Sequence, residues 1–467
     1  MNYQETMVEN FINRVFSFYP GLAGEYGIII DSLGDYSLDS INGFLADLKE
    51  YRDYFNSEYY QNFLIIKRIN MLIQEIEDED YARYTGFYYS RAFLTLLESL
   101  SITDSSEKNL ELFLKRLDYL DMIVSQAYSN IKDEYLSKIE IINTKKSFDR
   151  TCNLIETKAK EYLDERYFDA KNKFQFFLES KLAIAGNKIG NTKTLRYYQN
   201  IENTCDGILS TDDIYKNLME LAEHLNFLWQ TLKNEADDFI DIEFDSDSII
   251  DWVIYIKALF KDLNGMAEDI DEYRIFNKSY ENNTQSCRAS LKFYDQDVLL
   301  SINNREINSN EKKLEIMIHE VMPGHFFMSR YYSGRTNYIF KERSFWEGWA
   351  LMCEYYSITR CDCNLYKKTV SKKLLNNVLV GITSIKYWYH KSKREDIFNW
   401  LQSTFSLSAE ETNSILITAI IDSEQKMDYF VGFAAYYHLY KAVGFDVLTD
   451  MTMHSGASFY HLREHIG

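Results

Sequence analysis

The residues best suited to chemistry lie in one heptapeptide, HEVMPGH, at positions 319–325. Its ionisable side chains are His319, Glu320 and His325. A histidine followed at once by a glutamate on an apolar helix is the first half of a zinc-hydrolase signature, in which two histidines hold the ion and the glutamate acts as general base. The apolar residues of 312–322 predict such a helix. The heptapeptide therefore indicates a metal site.

The spacing of the two histidines requires a break in the helix. On a straight helix, His319 and His325 would lie about 120° apart around the axis and about 9 Å apart along it. Pro323 lacks a backbone donor and disfavours helix at the residue before it, and Gly324 can take a positive φ. We expect the helix to end near Met322, so that His325 turns back toward His319.

A third ligand is predicted at the start of a second apolar helix, residues 344–354. Glu347 follows His325 by 22 residues, which suits a helix–loop–helix return to the metal. Two histidines and one glutamate leave a coordination position open, as in catalytic zinc sites. Two alternatives stay open. Ser344 and Glu347 could instead form a capping box, and Glu354 could be the ligand or could orient a histidine.

Composition limits the classes of protein to consider. The chain has 467 residues, 46% of them hydrophobic, which is ample for a large buried core. Two prolines and 18 glycines favour long helices. A net charge of −20 fits a solvated acidic surface and argues against nucleic acid as a partner, because phosphate binding needs a basic patch. No run of 18 apolar residues occurs, so no membrane span is expected.

The compartment is predicted to be the cytoplasm. The first five residues are polar and lack a basic segment followed by an apolar run, so no secretory signal is expected. The six cysteines are scattered along the chain, which is typical of reduced thiols rather than of a disulfide framework.

The predicted architecture is mainly α. Residues 1–276 consist of successive amphipathic helices, of which 249–276 is the last, and are expected to form an N-terminal helical lobe that serves as a cleft wall or lid. Residues 277–467 are expected to form the catalytic helical lobe. Short apolar runs at 289–293 and 298–302 predict two strands or a hairpin beside the metal helix. A free strand edge there would suit an extended peptide substrate.

The two motifs together resemble a known family. His-Glu-x-x-Pro-Gly-His followed by Glu-Gly-Trp-Ala is similar to the signature of the bacterial domain-of-unknown-function 885 family, and the match covers about 319–354. The resemblance implies a large helical zinc metallopeptidase of the Glu-zincin type with a small sheet beside the metal helix. It also implies Zn²⁺ ligands at His319, His325 and Glu347, with Glu320 as the base.

The resemblance is weaker toward the C-terminus. Residues 432–437 resemble a Pro-Gly-Gln-Ala-Leu-Ser-Tyr segment of the family, but Val431 stands for the proline and Phe433 for the glutamine. Lys426 occupies the place of an arginine, and Thr449 that of a histidine. The metal motifs thus match while the segment expected to contact substrate departs, which leaves the substrate class open.

Further site candidates come from this C-terminal segment and from one upstream arginine. Tyr436 or Tyr437 could donate a hydrogen bond to an oxyanion, although tyrosines at such positions also serve as aromatic core. Lys426 or Arg288 could pair with a substrate carboxylate, or be plain surface charges. His438 follows the tyrosine pair and could reach the cleft.

Three functions are compatible with these patterns. The first is a zinc-dependent peptide hydrolase, either a carboxypeptidase or an oligopeptidase. The second is a metal-dependent amide hydrolase that acts on a modified peptide or small metabolite in a biosynthetic pathway. The third is a helical binding scaffold without catalysis. Peptide and metabolite screens distinguish the first two, and absence of bound metal would favour the third.

Overall fold

The chain divides into two compact units, residues 1–190 and 191–467. The sequence had placed the boundary at residue 276, because helical periodicity continues past residue 190 without showing which core each helix joins. The helix at 211–232 packs against that at 364–388, so it belongs to the second unit. The computed structural model describes residues 3–25, 28–57, 63–77, 87–100, 106–133, 136–185, 201, 203–242, 248–261, 274–280, 289–294, 297–303, 307, 309–329, 342–421, 423–454, 458–459 and 462.

The first unit is helical in the part that the structure describes. Its core contains the rings of Phe93, Phe148 and Phe174, with centroids 4.8 to 5.8 Å apart. The buried guanidinium of Arg116 is satisfied by the carbonyls of Ile30 and Thr95. The helices are α1 Tyr3–Phe18, α2 Pro20–Glu25, α3 Leu38–Ser57, α4 Phe63–Glu77, α5 Phe87–Ser99, α6 Ser106–Leu117, α7 Leu120–Asn130, α8 Lys138–Lys158 and α9 Glu165–Ile184, with a short 3₁₀ turn at Lys160–Tyr162.

The second unit carries the motifs and is also mainly helical. Its described helices are α10 Thr211–Leu232, α11 Ile249–Leu259, α12 Asn310–Ile316, α13 His325–Ser329, α14 Arg343–Ser357, α15 Asn364–Trp388, α16 Arg394–Phe405, α17 Ala409–Ile421, α18 Ser423–Val443 and α19 Phe445–His454. α15 is central, because α10, α17 and α18 all pack against it. It is apolar along much of its length, and the Cys363 sulfur accepts a hydrogen bond from Tyr366 N–H at its start.

A small sheet accompanies these helices. The strands are β1 Arg274–Tyr280, β2 Ala289–Tyr294 and β3 Asp297–Asn303, in the order β1-β3-β2. β3 pairs parallel with β1 and antiparallel with β2, and β2 and β3 cover the two apolar runs of the sequence. The helix predicted over 249–276 is wrong at its C-terminal end, since α11 stops at Leu259 and β1 begins at Arg274. Pairing with a strand later in the chain decides the conformation of β1.

Two glycines set the contact between α14 and α18. A Cβ atom on Gly348 would lie 2.3 Å from the carbonyl carbon of Gly432. One on Gly432 would lie 1.9 Å from the carbonyl oxygen of Ser344. Only glycine permits backbones to approach this closely. The crossing therefore fixes the first turns of α14, from which Glu347 projects.

Candidate metal centre

The helix that carries the first histidine changes its hydrogen bonding before it reaches that residue. α12 ends at Ile316, and residues 317–321 form a π-helical turn, closed by a 2.9 Å hydrogen bond from Met322 N–H to the Met317 carbonyl. A π turn holds one more residue than an α turn and is frequent at functional sites. The sequence predicts a regular α-helix over 312–322, whereas residues 317–321 of that stretch form a π turn, which is wider than an α turn.

The chain then reverses over the turn that it has just left. Met322 is extended, with φ −141° and ψ 126°, and the Met322–Pro323 peptide bond is cis. A Cβ on Gly324 would lie 1.8 Å from the carbonyl oxygen of His319, so no larger residue fits there. The reversal brings the His325 ring to 4.8 Å from the His319 ring, centroid to centroid, at an interplanar angle of 84°.

α14 supplies the carboxylate. Ser344 lies inside this helix and its hydroxyl donates to the Thr204 carbonyl at 2.6 Å, which excludes the capping-box alternative for Glu347. The Trp349 indole N–H donates to the Pro323 carbonyl at 2.8 Å. That bond ties α14 directly to the reversal, so the two ligand-bearing segments are held together independently of any ion.

The three predicted ligands converge. Oε2 of Glu347 lies 3.6 Å from Nε2 of His319 and 3.6 Å from Nε2 of His325. The ligand atoms of all three residues lie within 4.8 Å of one another, and the side chains are only 12 to 16% exposed. The structure thus brings His319, His325 and Glu347 together around one point.

The donor set fits a zinc ion. Oε2 of Glu347 is buried and has no hydrogen-bond partner among the described residues. A tetrahedral zinc with ligands at about 2.0 to 2.2 Å separates its ligand atoms by about 3.4 Å, close to the 3.6 Å observed for both pairs. Three such ligands leave one position for solvent or substrate.

The electrostatics of the trio favour positive charge at its centre. Burial lowers the pKa of His319, but the carboxylates of Glu347 and Glu354 outweigh it and raise that pKa to about 10. Burial raises the pKa of Glu347, but the His319 and His325 imidazoles outweigh it and hold the pKa well below its usual range. The site thus stabilises a cation, whether a proton on His319 or a metal ion.

A buried charge network stands behind His319. Oε1 of Glu354 lies 2.6 Å from Nδ1 of His319, the ring nitrogen that does not face Glu347. Lys373 Nζ donates to both oxygens of Glu354, at 2.9 and 2.8 Å, and to Glu315 at 2.5 Å. Burial raises the pKa of Glu354, but the Lys373 ammonium and His319 lower it overall. Of the two roles left open for Glu354, the geometry matches the one that orients a histidine.

Sequence reasoning missed two members of this network. Glu315 lies on α12, four residues before His319, as an isolated acid in an apolar stretch. A charge at such a position needs a partner when buried, and this was the available signal. Lys373 lies in the basic cluster of α15, where nothing in the sequence separates it from the other lysines.

Glu320 follows His319 directly in the chain, and its carboxylate has no partner among the described residues. Its residue is 9% exposed, and its charge helps to raise the pKa of His319. Within the described residues it has no hydrogen bond or ion pair. A carboxylate in this state can accept a proton without first breaking another contact.

The C-terminal candidates lie elsewhere in the second unit. Tyr436 is fully buried in an aromatic cluster with Phe345 and Trp349, and Tyr437 packs against Tyr355. His438 is exposed. These contacts place the two tyrosines in the aromatic core, and His438 at the surface. Arg288 lies outside the described residues.

Another tyrosine of α18 lies beside the trio instead. The ring of Tyr429 is 5.7 Å from Cζ of Arg343, whose Nε lies 3.9 Å from both Oε1 of Glu347 and Oδ2 of Asp428. Burial raises the pKa of Tyr429, and the nearby Glu347 carboxylate raises it further. Lys426 Nζ lies 5.2 Å from the same ring. Arg343 was detectable in the sequence, since it precedes Glu347 by four residues on one helix face.

The fold of the chain is similar to that of known proteins. No family model matches the chain, and no curated protein matches it. A proposed lipoprotein of unknown function from Shewanella oneidensis has a similar structure, with a TM-score of 0.69 and 13% identity over 100% of both chains. A proposed lipoprotein from Colwellia psychrerythraea gives a TM-score of 0.71 and 13% identity, over 99% of this chain and 98% of that one.

These neighbours contradict the cytoplasmic location that the sequence favoured. Both are proposed lipoproteins, a class held at membranes by covalently attached lipid. The five cysteines of the described part are free thiols, which argues against a disulfide framework but does not identify a compartment. Among the described helices, none combines the length and apolar character needed to cross a bilayer.

Proposed function

We propose that the chain is a zinc-dependent hydrolase of peptide or related amide bonds. The single observation that carries this proposal is the convergence of His319, His325 and Glu347, in which the buried Oε2 of Glu347 has no hydrogen-bond partner among the described residues, beside the Glu320 carboxylate. The resemblance of the two motifs to the domain-of-unknown-function 885 family supports a Glu-zincin-type peptidase, with carboxypeptidase or oligopeptidase activity.

Glu320 is the proposed general base. When bound, a zinc ion would supply Lewis-acid activation of water and of the scissile carbonyl. Glu320 accepts the proton of the attacking water and returns it to the leaving amine. Glu354, held by Lys373, keeps the His319 ring oriented so that Nε2 faces the centre.

Tyr429 and Arg343 are the proposed donors to the reacting carbonyl group. Both lie beside Glu347. A hydroxyl placed at the developing negative charge stabilises the transition state more than the ground state. Tyr429 therefore takes the role that the sequence assigned to Tyr436 or Tyr437.

Metal analysis and one isosteric variant test the proposal. Purified wild type should hold about one zinc per chain by mass spectrometry, and His319→Ala should hold none. His438→Ala, which alters an exposed histidine, should keep the metal. Glu320→Gln should keep the metal and lose hydrolysis of a peptide library.

Each alternative has its own outcome. Turnover by Glu320→Gln at the wild-type rate would remove Glu320 from the mechanism. Stoichiometric zinc with cleavage of amide metabolites but not of peptides would narrow the proposal to a non-peptide amidase. Wild type that takes up no zinc and cleaves nothing would contradict the hydrolase and leave a binding scaffold.

A further inference from the structure

A cavity of about 300 Å³ lies among α15, α17 and α18. Tyr429 and Lys426 line it from α18. Several of the other lining residues are uncharged but able to hydrogen bond with a polar group of a ligand. These polar lining residues are Asn376, Asn377, Ser414 and Thr418.

The cavity has an excess of positive charge. Of its two charged lining residues, Glu411 is already neutralised, since its carboxylate lies 2.8 Å from Lys372 Nζ and accepts from Ser408 N–H at 2.9 Å. The Lys426 ammonium lies over the face of Tyr429 and forms no ion pair with any described residue. A cation–π contact leaves its other N–H donors free for an anion.

A carboxylate is the ligand group that suits the unpaired Lys426 ammonium, because a charge-assisted hydrogen bond between the two is stronger than one between neutral groups. Every acidic residue and every C-terminal residue of a peptide carries such a carboxylate.

The cavity lies one side chain away from the candidate metal centre. Tyr429, which lines the cavity, also contacts Arg343, and Arg343 Nε lies 3.9 Å from Oε1 of Glu347. A substrate that spans Tyr429 would thus have one end in the cavity and its reacting carbonyl near the trio.

We propose that this cavity is the recognition pocket of the hydrolase and that it selects a carboxylate on the substrate. Lys426 pairs with the carboxylate. The assignment rests on the proposed function and adds its substrate class. The carboxylate could belong to a Glu or Asp side chain or to a peptide C-terminus, and substrates can separate these sources.

The catalytic test uses matched peptides that differ in one charge. One pair has Glu or Gln next to the scissile bond, and a second pair has a C-terminal acid or amide. For one of the pairs, wild type should prefer the acid by about tenfold in kcat/KM. Lys426→Gln should move that ratio close to 1, and Asn376→Asp should lower it by repulsion. Lys441→Gln on the same helix should leave the ratio unchanged, because Lys441 pairs with Glu220.

A binding test stands apart from catalysis. Zinc-loaded Glu320→Gln protein is titrated calorimetrically with N-acetyl-glutamate, N-acetyl-glutamine and N-acetyl-glutamate α-amide, alone and with Lys426→Gln added. Tighter binding of an acid than of its amide, lost with Lys426→Gln, is expected. Such binding without peptide cleavage by wild type would refute the hydrolase but keep the pocket. If wild type cleaves peptides but neither kcat/KM nor binding differs between an acid and its amide, the recognition pocket is refuted and the hydrolase is not.

Discussion

Nδ1 of His319 lies 2.6 Å from Oε1 of Glu354, and Glu354 has no exposed surface. A carboxylate in this position fixes both the tautomer and the orientation of an imidazole whose other nitrogen binds metal. Lys373 pairs with Glu354 from the other side, which offsets part of the cost of burying that carboxylate.

Removal of that carboxylate should weaken metal binding. Glu354→Gln keeps the size of the side chain but loses the charge that orients His319. Zinc affinity, measured by competition with a chelating dye, should fall by about 10- to 100-fold. Glu395→Gln, an exposed change on α16, is the control. Equal affinities in the two variants would show that Glu354 does not support the ligand.

The glycine contact between α14 and α18 should tolerate no methyl group. Gly432→Ala places a Cβ against the Ser344 carbonyl and should cost about 1 to 3 kcal/mol of unfolding free energy. Zinc should also be retained poorly, because relief of the clash displaces Glu347. Gly43→Ala on α3, where a Cβ meets nothing within 4 Å, should instead stabilise by about 0.5 to 1 kcal/mol. Thermal and urea unfolding give the unfolding free energies of both variants. Equal changes in unfolding free energy for Gly432→Ala and Gly43→Ala would refute the close contact at Gly432.

Tyr429→Phe should lower kcat far more than it changes KM. The phenol would be lost where negative charge develops, and loss of such a donor costs about 100-fold or more in kcat. Tyr440→Phe on the same helix is the matched control. Steady-state kinetics on one peptide measure kcat and KM of wild type and of both variants. A kcat of Tyr429→Phe equal to that of wild type would show that another group stabilises the oxyanion.

The Glu411 carboxylate at the start of α17 should make the unfolding free energy depend on pH in the acidic range. Glu411 accepts from Ser408 and pairs with Lys372, and the Lys372 and Ser408 hydrogen bonds lower its pKa from 4.5 to about 2. A depressed carboxyl pKa stabilises the fold above pH 4.5, and this contribution disappears as pH falls toward 2. Because the side chain is 42% exposed, we expect only about 1 kcal/mol.

Urea unfolding of wild type and Glu411→Gln checks this expectation. The difference between their unfolding free energies should be largest at pH 6 and should shrink as the pH approaches 3. Glu410→Gln, at the exposed neighbouring position, serves as control. A difference that stays constant with pH would contradict the assignment.

The approach of His325 to His319 could be predicted because it depends on local chemistry. Pro323 and Gly324 favour a turn, and the chain reversal at these residues brings His325 back to His319. The π turn could not be predicted, since α and π bonding differ little in energy and packing decides between them. Tyr429 was missed because the helical periodicity of α18 does not reveal which side faces α14.

Two longer-range features, strand β1 and the boundary between the two units, could not be predicted from the sequence for a related reason. β1 is a strand only because β3 pairs with it, and that partner follows later in the chain. The unit boundary at residue 190 depends on which core accepts α10, and an amphipathic pattern is the same in either case. The conformation of β1 and the unit that contains α10 both depend on tertiary contacts. These contacts cannot be identified from the order of residues alone.

The backbone contact of Gly348 with Gly432 also affects how degenerate copies of such a gene should be recognised. A copy that keeps every ligand codon but has alanine at the position of Gly432 would still match a motif search, although its glutamate would be displaced from the histidines. Surveys that separate working enzymes from pseudoenzymes in genomes should therefore examine this distant glycine alongside the ligands.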